Sequence, residues 1–194
     1  MSSKTRGKTR VYASARQRLL DAAEAVLDAK GPAGLTVDAV IAQARLSKGG
    51  FFYHFKTKKD LITAMGERLY QEAARRQAAN VAAEKNAYGG LTRAYVRLAL
   101  TADAEFDRRM RSYALAMMAL VQEDPTLIPM VRAANRTFFQ QLESDGLPDA
   151  QRRLVVLAVQ GFWLSQALHF HYFTPEQIAE LGKVLVRLTE KPLG

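Results

Sequence analysis

The sequence contains no cysteine among its 194 residues, and this absence excludes several kinds of site. Without thiols there are no disulfide bonds, thiolate metal sites or cysteine nucleophiles, which agrees with a reducing compartment. Long apolar runs are also missing, because the most apolar segment, residues 154–170, is interrupted by polar side chains and is too short to span a bilayer. The N-terminus is polar and basic, so we expect a cytoplasmic protein with neither a signal peptide nor a membrane partner.

Patterns typical of catalysis are scarce as well. The sequence has no phosphate-binding loop, no set of histidines at metal-ligand spacing, and no His and carboxylate spacing that suggests an active site. His169 and His171 are two residues apart and would point to different faces of a helix, which favours ordinary polar packing over a metal pair. We therefore expect no enzymatic activity, no cofactor and no metal site.

Positive charge is present, and it is concentrated near the N-terminus. Residues 1–60 hold 12 Lys and Arg against 5 Asp and Glu, whereas residues 61–194 hold 16 against 14. A nucleic-acid partner best explains this asymmetry, with a membrane surface or a solvated basic tail as alternatives. Residues 1–12, which include Lys8 and Arg10, have little to bury and are predicted to form a flexible basic arm that either contacts DNA or remains a solvated tail.

Apolar residues recur at helical spacing along the chain, and no segment alternates apolar and polar residues for long enough to predict a strand. The first helix should end near Lys30, before Gly31-Pro32. Thr36 and Ser47 are predicted N-caps of two short helices, and Thr57 opens a capping box for a long fourth helix. Gly, Pro and cap signals divide the remainder into further helices, so we predict an all-α fold of about nine helices.

The two short helices are joined by a three-residue turn, follow a basic arm and precede a long helix, as in a helix-turn-helix DNA reader. Ser47 would cap the second helix and leave its N–H groups available to a phosphate. Gly49 and Gly50 cost about 1 kcal/mol each relative to alanine in a helix, but they allow close backbone approach to another surface. The alternative is a small helical hairpin with a solvated basic face.

Residues from about 16 to 69 resemble the DNA-binding domain of the tetracycline-repressor (TetR) family. The resemblance rests on the joint spacing of TVDAV at 36–40, SKG at 47–49 and HFKTKKDL at 54–61. It implies contacts to DNA from five residues: Thr36, Lys48, Tyr53, His54 and Lys58. It also implies that Phe51 and Phe55 pack in the core.

The sequence departs from the family pattern at two positions that we keep among the candidate DNA contacts. The family usually has glycine where this chain has Arg45, so we expect an arginine at positive φ, at a cost of about 1 kcal/mol. A turn residue without a DNA role is the favoured alternative for Arg45. The family often has tyrosine where this chain has Phe52, so a phenolic phosphate contact could pass to Tyr53.

The resemblance divides the chain into a DNA-binding domain at 13–72 and a helical effector-binding and dimerisation domain at 73–194. Aromatic and methionine side chains can line adaptable apolar pockets, and we select Tyr113, Met117 and Trp163, with core packing as the alternative. The run from Arg153 to Leu168 is apolar nearly all round, which indicates burial on more than one side. Its small residues are candidate dimer contacts, unless this is a core helix of a monomer: Ala158, Gly161 and Ser165.

Together these features predict a homodimeric, sequence-specific regulator of transcription. The resemblance to the family implies a repressor that binds a pseudopalindromic double-stranded DNA operator. It would leave the operator when a small-molecule effector of unknown identity binds the helical domain. The alternative is a DNA-architectural protein with little sequence preference.

Overall fold

A computed structural model describes residues 14–101, 104–170 and 173–192. The described chain contains nine α-helices and no strand, which confirms the all-α prediction. The helices are α1 (Ala15–Gly34), α2 (Val37–Ala44), α3 (Lys48–His54), α4 (Lys58–Ala82), α5 (Gly90–Thr101), α6 (Ala104–Glu123), α7 (Ile128–Leu142), α8 (Asp149–Ala167) and α9 (Pro175–Arg187). Single-turn 3₁₀ helices at Pro125–Leu127 and Glu143–Asp145 flank α7. The predicted basic arm, with Lys8 and Arg10, lies outside the described residues.

Local capping interactions define where several helices begin. The hydroxyls of Thr36 and Ser47 accept hydrogen bonds from the backbone N–H three residues later, at 3.2 and 3.1 Å. Thr57 and Thr174 each open a reciprocal capping box at the start of α4 and α9. These bonds satisfy N–H groups that have no partner inside the helix, so the predicted starts are confirmed.

The helix α1 changes direction at Gly31. This residue has φ 66° and ψ −175°, a backbone conformation that a side chain disfavours, and Pro32 follows it without an N–H to donate. Regular helix therefore stops at Lys30, as predicted, and residues 32–34 form a short turn that leads to the buried Leu35.

The helices pack around two hydrophobic cores. The first core joins α1–α4 to α6, and its largest fully buried members include Leu19, Phe51, Leu61, Met65, Leu69 and Phe106. The second core joins α5, α7, α8 and α9, with Tyr95, Val96, Leu142, Val155, Val159 and Leu185 buried. The helix α4 passes through the predicted domain boundary at residue 72 without a break, so the DNA-binding segment shares its core with α6.

Two buried charged side chains close one end of the second core. The guanidinium of Arg93 donates to the Glu84 carboxylate at 2.6 Å and to the carbonyl of Thr189 at 3.1 Å. The Asp145 carboxylate accepts from the backbone N–H of Thr92 at 2.9 Å, near the start of α5. These bonds tie the end of α4, the start of α5 and the end of α9 together.

Among the described helices, none combines the length and the apolar character that crossing a bilayer requires.

Candidate nucleic-acid interface

The turn between α2 and α3 contains an arginine in the left-handed conformation. Arg45 has φ 53° and ψ 50°, which confirms the expectation of positive φ. The guanidinium of Arg18, from α1, donates to the carbonyls of Ala44 at 2.6 Å and Arg45 at 3.3 Å. This charged donor satisfies carbonyls that the end of α2 leaves without partners and offsets the strain of the turn. The sequence analysis did not select Arg18, because its two partners lie 26 and 27 residues further along the chain and no local pattern connects them.

The inner face of α3 is aromatic. Phe51 is fully buried and Phe55, directly after the helix, is buried with it, as the family resemblance implied. The Phe51 ring packs edge to face against Phe52 at 5.3 Å, and the guanidinium of Arg16 lies 5.3 Å from the centre of the Phe55 ring. The two buried rings hold a helix of only seven residues in place, since so short a helix is marginal by itself.

The outer face of α3 carries hydrogen-bond donors and an exposed aromatic ring. Tyr53 is 80% exposed, and its ring packs against the edge of the half-buried His54 at 4.9 Å. Most of the other predicted DNA contacts in this part of the chain are exposed: Thr36, Arg45, Ser47, Lys48 and Gly49. Phe52 is 38% exposed, and Gly50 and Lys58 are half-buried. Their roles at DNA remain predictions.

Packing within the chain does not require a glycine at position 49. A Cβ atom built on Gly49 would meet only the Ser47 hydroxyl, at 3.9 Å, and one built on Gly50 would meet it at 3.4 Å. Alanine would fit at Gly49 and would favour the helix. The close approach that this glycine allows is therefore available to a surface outside the chain.

The first turn of α4 is joined by ion pairs to the end of α6. Lys58 Nζ lies 3.4 Å from a Glu123 carboxylate oxygen, and Lys59 Nζ lies 3.3 Å from a carboxylate oxygen of Asp124. A hydrogen bond from the Thr126 hydroxyl, and then one from Lys59, hold the pKa of Asp124 below its ordinary value. A predicted DNA-contacting lysine thus has a carboxylate partner in the free protein.

A second set of ion pairs joins α6 to α1 and α4. Arg109 donates to Glu24 at 2.9 Å and to Glu72 at 2.8 Å, and Arg68 donates to Asp21 at 2.5 Å. Burial alone would raise the pKa of Glu72, but hydrogen bonds from Arg76 and Arg109 outweigh it and lower the pKa. Glu72 therefore stays ionised at neutral pH. The ion pairs connect three helices at the junction of the two predicted domains.

The three predicted pocket residues lie in different cores. Tyr113 and Met117, on α6, pack with the first core, where the Tyr113 hydroxyl lies over Gly66 of α4. Trp163, on α8, packs against the second core, and its indole N–H donates to the Ala99 carbonyl at 3.4 Å. The structure does not bring the three side chains into one site.

An aromatic cluster that sequence spacing did not identify surrounds Tyr95. The rings of Phe138, Phe139 and Trp163 lie 5.5, 6.2 and 6.0 Å from the buried Tyr95 ring, with edges directed at faces. Burial raises the pKa of Tyr95, so its hydroxyl stays protonated. Phe139 also borders a cleft of about 260 Å³ between α7 and α8. The four rings come from three helices, so only the fold shows that they belong together.

The helix α8 exposes an apolar stripe. Gly161 is exposed with no atom near a built Cβ, while Ala158 and Ser165 are half-buried. With Gly161 counted among them, exposed leucines recur at intervals of three and four residues along α8 to its C-cap: Leu154, Leu157, Leu164 and Leu168. This spacing puts them on one face of the helix, which we call the α8 stripe. The sequence analysis selected the small residues and not these leucines.

Comparison with known proteins places the chain among bacterial regulators. The family model described as "Bacterial regulatory proteins, tetR family" matches residues 19–65, and the one described as "Tetracyclin repressor-like, C-terminal domain" matches residues 89–190. The second match alone covers more than half of the chain. No curated protein matches the chain significantly in sequence.

Solved structures share the fold over nearly their whole length. A transcriptional regulator from Rhodococcus sp. RHA1 is 20% identical with a TM-score of 0.74, covering 91% of this chain and 96% of that one. A TetR-family member from Streptomyces coelicolor A3 is 26% identical with a TM-score of 0.68, covering 92% and 100%. The multidrug-binding protein EbrR, solved with ethidium, is 27% identical with a TM-score of 0.68, covering 90% and 98%. With both family matches and the helix-turn-helix geometry, the chain is a member of the TetR family of transcriptional regulators.

Proposed function

We propose that the protein is a homodimeric repressor that reads a pseudopalindromic operator through α3 and leaves it when a small-molecule effector binds the helical domain. The observation that carries the proposal is the outer face of α3, where Lys48 and the 80% exposed Tyr53 lie on a helix held from behind by two buried phenylalanines. Such a face offers donors to phosphates and base edges, whereas it buries almost nothing within the protein.

The two cap residues add donors to this surface. In each, the hydroxyl oxygen accepts a backbone N–H, so the hydroxyl proton of Thr36 and Ser47 remains available to a phosphate. Lys48 would add a charge contact, and Gly49 would admit the DNA backbone close to the chain. Tyr53 and His54 follow on the same short helix and are the candidates for base or sugar contacts.

Support for a dimer comes from the α8 stripe. A helix at the surface of a soluble protein normally has charged residues on its outer face. Residues 154–168 contain no charged side chain, yet Leu157 is 65% exposed. A second copy packed across Gly161 would cover the leucines by close helix approach, with Ala158 and Ser165 at the margin. Two-fold symmetry would then put the recognition helices about 34–36 Å apart, one turn of DNA.

The effector is proposed to bind at the aromatic cluster around Tyr95. The helix α7, which supplies Phe138 and Phe139, has only Leu142 fully buried, so it is the wall most easily displaced. EbrR was solved with ethidium and is 27% identical to this chain, which makes a planar apolar cation the first class of compound to try. Trp163 is the chain's one tryptophan, so its fluorescence reports binding at the cluster without DNA present.

The experiment that tests the proposal is selection of bound DNA from random duplexes at physiological salt. A two-fold symmetric motif is expected, and Lys48→Met should weaken binding to it and flatten the salt dependence by about one phosphate contact. Lys85→Met, at an exposed lysine beyond α4, is the matched control and should bind like the parent. Retention of duplexes without any shared motif would favour a DNA-architectural protein instead.

A second experiment tests release. The protein is titrated with ethidium and other planar apolar cations while Trp163 fluorescence is followed, and the compounds that bind the protein but not free operator DNA are then added to the operator complex. Binding with loss of operator affinity is expected, and about 100-fold differential affinity between the two forms would suffice to switch a promoter. Operator binding that is indifferent to every bound compound would contradict effector control.

A further inference from the structure

Two parallel ion pairs join the start of α4 to the end of α6. Lys58 pairs with Glu123 at 3.4 Å and Lys59 pairs with Asp124 at 3.3 Å, each across 65 residues of sequence. Consecutive lysines therefore face consecutive carboxylates. Two lysines in the first turn of a helix are unfavourable beside its positive end, and the carboxylates from α6 offset that charge.

These pairs lie directly beside the proposed DNA-reading unit. The helix α3 ends at His54 and α4 begins at Lys58, so the ammonium group of Lys58 follows the recognition helix by one short loop. Its partner Glu123 is 61% exposed, whereas the Lys58 side chain is 33% exposed. A phosphate approaching Lys58 would meet a carboxylate already bound to the same ammonium group.

We propose that Glu123 limits the affinity of the protein for DNA by competing with a DNA phosphate for Lys58. This inference rests on the proposed function, since it requires that Lys58 face DNA. The carboxylate lowers the affinity because a phosphate must displace it from the Lys58 ammonium group before the phosphate can bind there. Because the pair is exposed, it contributes little to folding, so its main effect falls on DNA binding.

Glu123 is the better of the two carboxylates to change. The Asp124 side chain also accepts the backbone N–H of Thr126 at 3.1 Å and caps the single-turn helix Pro125–Leu127. Its replacement would disturb the turn as well as the ion pair. Glu123 has no such cap, so Glu123→Gln removes the charge and keeps the shape.

The test is a double-mutant cycle on the selected operator, measured over a series of salt concentrations. Glu123→Gln should tighten binding by about two- to fivefold at low salt and steepen the salt dependence by up to about one phosphate contact. In a Lys58→Met background the same change should have no effect, because the competed ammonium group is absent. Glu105→Gln removes an exposed charge from the other end of α6 and is the matched control.

Two outcomes would overturn the inference while leaving the proposed function intact. Either Glu123→Gln leaves affinity and salt dependence unchanged in a protein that binds its operator, or it tightens binding equally with and without Lys58. The second result would show a general charge effect and not competition for one lysine. Failure of the parent protein to select any DNA would instead overturn the proposed function and this inference with it.

Discussion

The surfaces of α3 and α8 both expose large side chains, but in opposite settings. On α3 the exposed ring of Tyr53 has Lys48, His54 and Lys56 within a few residues on either side. On α8 the exposed leucines lie in a segment, residues 154–168, that has no charged residue. The first surface is only partly apolar and is rich in hydrogen-bond donors, whereas the second is mainly aliphatic, with Gln160 as an exposed amide.

This difference indicates the kind of partner that each surface fits. Phosphates and base edges accept hydrogen bonds, and phosphates also carry negative charge, so both can bind the hydrogen-bond donors of α3. An exposed aliphatic stripe is stabilised only by burial against another apolar surface. A second copy of the same stripe is such a surface, with matching spacing. The four predictions below test this contrast, or the packing that joins the two regions, from the largest expected effect to the smallest.

The largest effect is expected from Leu157→Arg on the α8 stripe. A charge at the centre of an apolar interface has no partner and appears twice in a symmetric dimer, so association should be lost. Sedimentation should report a monomer, and operator affinity should fall by at least about 100-fold, near 2.7 kcal/mol. Met130→Arg, at an exposed methionine of α7, is the control. A dimeric Leu157→Arg protein would place the interface elsewhere.

The next prediction concerns the contact of α6 on α4. A Cβ at Gly66 would lie 2.1 Å from the Tyr113 hydroxyl and 2.5 Å from the adjoining ring carbon, so Gly66→Ala should destabilise the fold by about 1–3 kcal/mol. Urea unfolding at one protein concentration measures the loss. Gly66→Ala combined with Tyr113→Leu should recover part of it, since the obstructing ring is gone. No loss in the single variant would mean that the Tyr113 ring swings away at little cost.

Arg109→Met should destabilise the fold by about 1–2 kcal/mol at neutral pH, because Glu24 and Glu72 lose their shared partner at a partly buried site. The folded pKa of Glu72 lies below its ordinary value of 4.5. Its stabilising contribution is therefore complete above that pH and is lost as the pH falls through the lower folded pKa.

The variant should accordingly show a shallower loss of stability on acidification than the parent, measured by urea unfolding between about pH 3 and 7. Arg108→Met is the matched control. The Arg108 side chain is 46% exposed and pairs with Asp28, and an ion pair with a solvent-exposed partner is worth at most about 1 kcal/mol. Equal effects of the two variants would contradict a special role for Arg109.

The smallest effect on folding is expected from Gly49→Ala. The new methyl group meets nothing closer than 3.9 Å, and alanine favours a helix over glycine by about 0.5–1 kcal/mol, so stability should stay level or rise. Operator affinity should nevertheless fall, because the DNA backbone is expected to approach this position. Thermal unfolding and operator titration separate the two readouts. Unchanged affinity would remove Gly49 from the proposed DNA contacts.

Sequence reasoning succeeded where the structure depends on neighbours along the chain. The caps at Thr36, Ser47 and Thr57 bond to groups three residues away, and Gly31 ends regular helix by its own backbone preference. The left-handed Arg45 was also expected, because the family that the sequence resembles usually has glycine at this position of the turn. In each case the decisive energy is contained within about one helical turn.

Sequence reasoning was less informative where side chains from helices that are distant in sequence meet. Tyr113 and Trp163 have similar amphipathic character, and composition alone could not assign them to different cores. The leucines of α8 were passed over for small residues, because an apolar helix does not reveal from its sequence which of its faces neighbours cover. Arg18, Arg109 and Glu123 were missed for a related reason: their partners lie 26 to 85 residues away.

The sequence by itself determined the all-α class, the helix-turn-helix and its caps, the concentration of positive charge before residue 61, and the resemblance that the family matches confirm. Those properties follow from local backbone chemistry and from composition, which need no knowledge of packing. Only the tertiary structure decided that α4 and α6 share a core with the DNA-binding helices, that three rings gather around Tyr95, and that Lys58 is paired with Glu123. These contacts depend on how close separate helices come, and that distance is an outcome of burying both cores at once.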